Sequence, residues 1–140
     1  MKILKNIFAT SSSKEEIRKK GVEGIISYKN RDFKRAVIAF EEYFRKKGFG
    51  KFPDLDQDDA LILINLGNAK RYSSDYNGAI RTYDTILQNV PTWDAPYLMK
   101  AICYYKLGDI SNAKTQWELA KRFGNDIAKN QFGTEIQKFK

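Results

Sequence analysis

Apolar residues recur along this chain at steps of three and four, the period of an amphipathic helix. Between residues 76 and 87 they fall at Tyr76, Ala79, Ile80, Tyr83, Ile86 and Leu87. A helical run through Leu63 and Leu66 precedes them. The corner between the two, Ser73-Ser74-Asp75, carries side chains that compete for backbone hydrogen bonds and favour helix starts. The pattern predicts a helical hairpin with Asp75 capping its second helix.

The hairpin repeats. Leu63, Gly67, Lys70, Asp75, Tyr76, Ala79 and Tyr83 stand 34 residues before Tyr97, Ala101, Tyr104, Asp109, Ile110, Ala113 and Trp117. Gly24, Asp32, Phe33, Ala36, Phe40 and Tyr43 stand 43 residues before Gly67, Asp75, Tyr76, Ala79, Tyr83 and Ile86. Three units follow, with nine extra residues between the first and the second. Asp32, Asp75 and Asp109 are each placed to cap the second helix of a unit. The small residues Gly24, Gly67 and Ala101 are expected to face Ala36, Ala79 and Ala113 across each hairpin. The large residues Phe40, Tyr83 and Trp117 are expected to fill the space against the following unit. Pro91 closes the second unit, where a helix does not easily continue.

This pattern resembles a tetratricopeptide repeat protein. Leu66-Gly67, Tyr76, Ala79, Tyr83 and Pro91 match that family's signature, and the 34-residue period matches its repeat length. The resemblance covers about residues 17–125. It departs at Glu23, where a large apolar residue is usual, and at Gly48 and Asn125, where a closing proline is usual. It implies an all-α fold, a right-handed α-solenoid of antiparallel helix hairpins with about seven helices. The units are expected at about 17–47, 60–93 and 94–125 within a repeat region 14–125, with an insertion over 48–59.

The resemblance also implies that the first helix of each unit lines a concave groove. Carried over by position, the first unit offers Arg18, Gly21, Val22, Ile25, Tyr28 and Lys29. The second offers Leu61, Ile64, Asn65, Asn68, Arg71 and Tyr72. The third offers Ala95, Leu98, Met99, Ile102, Tyr105 and Lys106. That wall is apolar and aromatic, with Arg18, Lys29, Arg71 and Lys106 as its charges and no acid among them. It suits a protein or peptide partner with acidic or amphipathic character. One subclass of the family grips the C-terminal carboxylate of heat-shock chaperones with two lysines, two asparagines and an arginine. Only Asn65 matches here; Gly21, Ile25, Ala95 and Met99 hold the other places.

Outside the repeats, residues 126–140 read as one amphipathic capping helix with Ala128, Phe132, Ile136 and Phe139 on its apolar face. Gly133 falls 32 residues after Ala101, as the first helix of an unfinished fourth unit would place it. Residues 1–13 read as a basic amphipathic segment and linker, followed by a capping box of Ser13 with Glu16. Its apolar positions Ile3, Leu4, Ile7 and Phe8 are too broken for a secretory signal, which leaves a docked or frayed terminal helix, or a transit peptide or peripheral membrane contact through residues 1–9. In the insertion, Asp54, Asp56 and Asp58 have the alternate spacing of a calcium loop. Asp59 stands where that loop needs glycine and Asn65 where it needs glutamate, so capping of the next helix by Asp58 or Asp59 is expected instead. Phe49 and Phe52 are expected at the seam between units or as an exposed contact.

Composition narrows the chemistry. The 140 residues contain no histidine and one cysteine, Cys103, within an apolar run. Histidine-based catalysis, an intrachain disulfide and a thiolate metal site are therefore not expected, and Cys103 reads as a buried hydrophobe. Gly48-Phe49-Gly50-Lys51-Phe52 lacks the ending of a phosphate loop. A non-catalytic cytoplasmic adaptor with no cofactor is the expectation. The net charge of +8 is uneven: +8 over residues 1–52, −3 over 53–93 and +3 over 94–140. The basic first third makes nucleic acid a rival partner, but Glu15, Glu16, Glu41 and Glu42 interleave with its lysines and disfavour it. Self-association through a convex face with exposed aromatic residues is left open.

Overall fold

The computed structural model describes residues 2–48 and 55–139, with side chains from residue 13 onward. Among these the chain forms α1 (Lys2–Lys29), α2 (Phe33–Lys47), α3 (Gln57–Tyr72), α4 (Tyr76–Asn89), α5 (Asp94–Lys106), α6 (Ile110–Arg122) and a short α7 (Phe132–Glu135). A 3-10 turn over Ile136–Lys138 follows, and the described residues contain no strand. Helix α1 packs on α2, α3 on α4 and α5 on α6, and successive hairpins stack through α2 against α3 and α4 against α5. The result is an all-α solenoid of antiparallel helix hairpins.

The capping aspartates act as expected. Asp32 Oδ1 accepts from the Arg35 backbone N–H at 3.2 Å, Asp75 Oδ1 from Gly78 at 3.0 Å and Asp109 Oδ1 from Asn112 at 3.1 Å. Each is preceded by a residue with positive φ: Arg31 at 62°, Ser74 at 64° and Gly108 at 80°. These residues also occupy one repeat place, so a single left-handed step makes all three corners. Asp56, rather than Asp58 or Asp59, caps α3, with Oδ1 accepting from the Asp59 backbone N–H at 2.8 Å. The helix starts earlier than expected, which turns Asp59 inward. Asp54, Phe49 and Phe52 lie outside the described residues.

The nearest neighbours of Gly24 and Gly67 are the rings of Phe40 and Tyr83 on the second helix of the same hairpin. A Cβ on Gly67 would lie 2.5 Å from Tyr83 Cε1, and one on Gly24 would lie 2.4 Å from Phe40 Cδ1. Phe40, Tyr83 and Trp117 are thus at the centre of their own hairpins, essentially without exposure. One core cluster runs from Ala36 and Phe40 through Leu63 and Leu66 to Tyr83 and Cys103. A second holds Leu98, Ala101, Ile102, Ala113, Trp117, Ala120, Ala128 and Ile136.

Both ends depart from the sequence reading. Helix α1 is continuous from Lys2, so Ser11–Ser13 form neither a linker nor a helix start. Serine in a helix interior costs only about half a kcal/mol relative to alanine, and no proline or glycine lies between Lys2 and Lys20. The expected single helix over 126–140 is instead turns followed by α7 and the 3-10 turn. Tertiary contacts compete with the helix there. Trp117 Nε1 donates to the Asn130 carbonyl at 3.3 Å, and buried Asn125 donates to Asp94 at 2.8 Å while accepting from Ala128 N–H at 3.0 Å. The folded-back segment still delivers Ala128 and Ile136 to the core.

Gly67→Ala tests the close approach. Helix propensity alone would stabilise the variant by about 1 kcal/mol. The ring contact should reverse the sign and cost about 1–3 kcal/mol, measured as the shift in urea midpoint.

Candidate functional site

Two sides of the stack differ. The first helices touch one another, α1 against α3 and α3 against α5, whereas the second helices have no comparable contact with each other among the described residues. The first-helix layer is therefore the inner, concave one. Where α1 meets α3 it leaves a cleft of 340 Å³ lined by Lys14, Ile17, Arg18, Gly21, Val22, Ile25, Tyr43, Asp58, Leu61, Ile62 and Asn65. Val22 and Leu61 on its walls are 41% and 52% exposed, high for aliphatic side chains on facing helices. Gly21 keeps it open: a Cβ there would reach within 3.3 Å of the Tyr43 ring.

The floor is set by a buried polar network beside the insertion. Asp59, 2% exposed, accepts from the Tyr43 hydroxyl at 2.9 Å and from Lys47 Nζ at 2.7 Å. Lys47 also reaches Asp56 Oδ2 at 3.2 Å. Burial and the bond to Asp59 push the Tyr43 hydroxyl up to about 12. Burial tends to lower the Lys47 pKa, but Asp59 and Asp56 outweigh it and raise it. The Asp59 backbone N–H holds the Asp56 carboxyl below its ordinary value, with Lys47 adding to the effect. The network ties the end of α2 to the start of α3 across the insertion, and so fixes Tyr43 against the cleft.

At the other end of the same helices lies an aromatic cluster around Arg71. The Arg71 guanidinium sits 4.4 Å from the centre of the Tyr72 ring, and Tyr72 stacks on Phe33 at 4.7 Å. Tyr28 meets Phe33 edge-on at 5.6 Å. The Tyr83 hydroxyl donates to Asn68 Oδ1 at 2.6 Å.

The expected groove residues divide accordingly. Arg18, Val22, Ile25 and Asn65 line the cleft, while Tyr28, Asn68, Arg71 and Tyr72 belong to the aromatic cluster. Ile64 and Met99 are half-buried against the first core cluster. Lys29 and Lys106 are exposed. Leu98 and Ile102 are core residues at 2% and 1% exposure, because they share a cluster with Trp117, Ala128 and Ile136 of the folded-back C-terminal segment. That segment also reaches Tyr105, whose ring meets Phe132 edge-on at 6.4 Å. The open part of the face is therefore its α1–α3 half. Its wall is not free of acid either: Asp58 lines the cleft, and Arg18 is bonded to Glu15 at 2.7 Å on its own helix. Lys14, Ile17, Tyr43, Asp58 and Ile62 also line the cleft but were not among the groove residues expected from repeat position. Tyr43 sits on a second helix, and only the narrow Gly21 backbone opposite lets its ring reach the inner face.

A second cleft, 410 Å³ between α1 and α2 on the outer edge of the first hairpin, includes Lys19, Val22, Glu23, Ile26 and Arg35. Charges on that edge are paired among themselves, as in Arg35 with Glu23 at 3.6 Å. No group of three or more metal-ligating side chains and no helix long and apolar enough to cross a membrane occur among the described residues.

No protein-family model and no curated protein sequence matches the chain. Solved structures do match its fold. The crystal structure of PcrH from Pseudomonas aeruginosa superposes with a TM-score of 0.67 at 16% identity, over 88% of this chain and 90% of that one. PcrH in complex with the chaperone binding region of PopB gives 0.63 at 16% identity, over 87% and 89%. The Yersinia enterocolitica type III secretion translocator chaperone SycD, in an alternative dimer, gives 0.65 at 14% identity, over 88% and 87%. At these identities the likeness establishes a shared helical-hairpin solenoid fold.

Two measurements check the site. Asp59→Asn should cost about 1–3 kcal/mol, because it removes the buried carboxylate charge that Lys47 Nζ and the Tyr43 hydroxyl hold. The pH profile follows from signs. A carboxyl lowered in the fold contributes stability above its unfolded value near 4 and loses it as pH falls. A hydroxyl raised in the fold contributes below 10 and loses it between 10 and about 12. The buried Cys103 thiol, also raised, begins to lose its contribution from about 9, so stability should plateau between about 4 and 9, and Asp56→Asn should flatten the acid limb. Separately, burial pushes the Cys103 thiol up to about 12. Iodoacetamide at pH 8 should leave it unmodified in the native chain and label it in denaturant.

Proposed function

We propose that this chain is a non-catalytic binding module of the tetratricopeptide repeat type, an adaptor or chaperone-like protein that holds a segment of another protein in the α1–α3 cleft. The observation that carries this reading is the cleft itself: exposed Val22 and Leu61 face each other on the concave layer, over a floor braced by Tyr43. Apolar side chains held open at a concave surface favour burial of a partner's anchor residue, at roughly 25 cal/mol per Å² removed from water. The fold likeness to PcrH, which has been crystallised with the chaperone binding region of PopB, supports a protein segment as the ligand, and the apolar cleft with Lys14 and Arg18 on its rim suits one of amphipathic or acidic character.

Nucleic-acid binding gains no support from the charge pattern. Six of the eleven described basic side chains of the first third, Arg18, Lys20, Arg35, Arg45, Lys46 and Lys47, are paired with carboxylates. The test compares affinity capture by the wild-type chain with capture by Val22→Asp/Leu61→Asp and by Ile38→Asp, which alters an exposed residue on α2. Partner recovery should drop at least about tenfold for the double variant, equivalent to about 1.4 kcal/mol, and be unchanged for Ile38→Asp. Equal recovery from all three would place binding elsewhere. Retention on immobilised RNA that the double variant keeps would favour the rival class.

A further inference from the structure

Four described lysines and arginines are not exposed: Lys20, Lys70, Arg71 and Lys100. Three of them hold a carboxylate. Lys20 Nζ lies 3.0 Å from Glu42, Lys70 Nζ lies 3.2 Å from Glu41, and Lys100 pairs with Asp84. Arg71 has no carboxylate partner among the described residues. Its surroundings are neutral: the Tyr72 ring under the guanidinium and the hydroxyls of Tyr72 and Tyr83 beside it. Its Nε is buried with no hydrogen-bond partner. Asn68 Oδ1, three residues earlier on α3, already accepts from the Tyr83 hydroxyl at 2.6 Å. A guanidinium stays charged; here Tyr72 and Tyr83 offset its desolvation, but no carboxylate among the described residues neutralises it. The other three described cations that are not exposed each have one.

Arg71 also stands out within its row. The same repeat place holds Tyr28 in the first unit and Tyr105 in the third, both half-buried. The concave layer therefore presents one cation between two tyrosines. On α3 it lies six residues beyond Asn65 and ten beyond Leu61, both of which line the cleft. At 1.5 Å per residue this is about 9–15 Å, a span that about three to five residues of extended chain cover.

We propose that Arg71 receives a side-chain carboxylate of the bound segment, so that the partner carries an apolar anchor and an Asp or Glu about three to five residues from it. The planar guanidinium matches a carboxylate with two parallel hydrogen bonds. The wall continues past Arg71 to Tyr105 and exposed Lys106 on α5, so chain can run on beyond the acid. An internal side chain is therefore the occupant, not a chain end. The inference rests on the groove reading above and adds to it the position at which acidity is read.

The experiment uses the full chain and four fluorescein-labelled peptides of about ten residues in a Gly/Ser background. The first has one Leu and one Glu four positions apart, with both ends blocked. The second replaces Glu by Gln, and the third replaces Leu by Ser. The fourth ends in a free carboxylate at the same distance from Leu. The wild type should bind the Glu peptide about tenfold more tightly than the Gln peptide, as expected for a charge-assisted bidentate pair. That preference should shrink as sodium chloride rises. Arg71→Gln should bind both peptides equally, with the affinity of the wild type for the Gln peptide, and should fold with the helical content of the wild type by circular dichroism. Equal binding of the Glu and Gln peptides by the wild type overturns the inference and leaves the groove reading intact. So does a preference that survives in Arg71→Gln, or tight binding of the free-carboxylate peptide alone. If the wild type binds no peptide, or binds the Ser peptide as well as the Leu peptide, the groove reading fails and the inference fails with it. Should Arg71→Gln not fold, Arg71 is structural and the inference is overturned, whatever the wild type prefers.

Discussion

The ring of Tyr83 lies against the backbone of Gly67 so closely that a methyl group there would overlap it. Phe40 repeats the contact on Gly24 one unit earlier. Because the ring occupies the space a side chain would take, the two helices of a hairpin can approach and bury a large apolar surface with few residues. Everything else is arranged around that approach. The aspartate caps and the left-handed residues before them set where each second helix begins, and hence which residue faces the glycine. The third unit departs from this plan: Ala101 stands in the glycine's place and Trp117 in the ring's, both buried in one cluster, and the indole N–H needs an acceptor. It finds one on Asn130 and draws the C-terminal segment back over the last hairpin.

Stacking these hairpins produces the inner layer, and the inner layer produces the cleft. The nine-residue insertion matters less for its own residues than for what it lets its flanks do. It separates α2 from α3 enough for Asp56 to cap α3 while Asp59 turns inward to Tyr43 and Lys47. A buried carboxylate held by a hydroxyl and an ammonium is satisfied, and it locks the aromatic floor in place. Gly21 completes the site by leaving room above that floor.

Groove membership was partly legible from repeat position. Val22, Ile25, Asn65 and Arg18 meet at the cleft, and Asn68, Arg71 and Tyr72 gather at its far end. Leu98 and Ile102 carry the same positional signature and are nonetheless buried. Repeat position states which face of a helix a residue is on; it does not state what else covers that face. In the third unit the folded-back C-terminal segment covers it. Tyr43 shows the converse. It sits on a helix assigned to the outer layer, yet it reaches the inner face through the gap left by a glycine.

The sequence by itself determined the helices, their pairing into hairpins and the caps, because each depends on neighbours within a few residues or on a spacing that repeats. Continuity of α1 through Ser11–Ser13, the breakup of residues 126–140, the inward turn of Asp59 and the lack of an anion at Arg71 were decided only in the tertiary structure. Each of those depends on a distant group competing for the same hydrogen bond, the same space or the same charge. No local pattern records which competitor arrives.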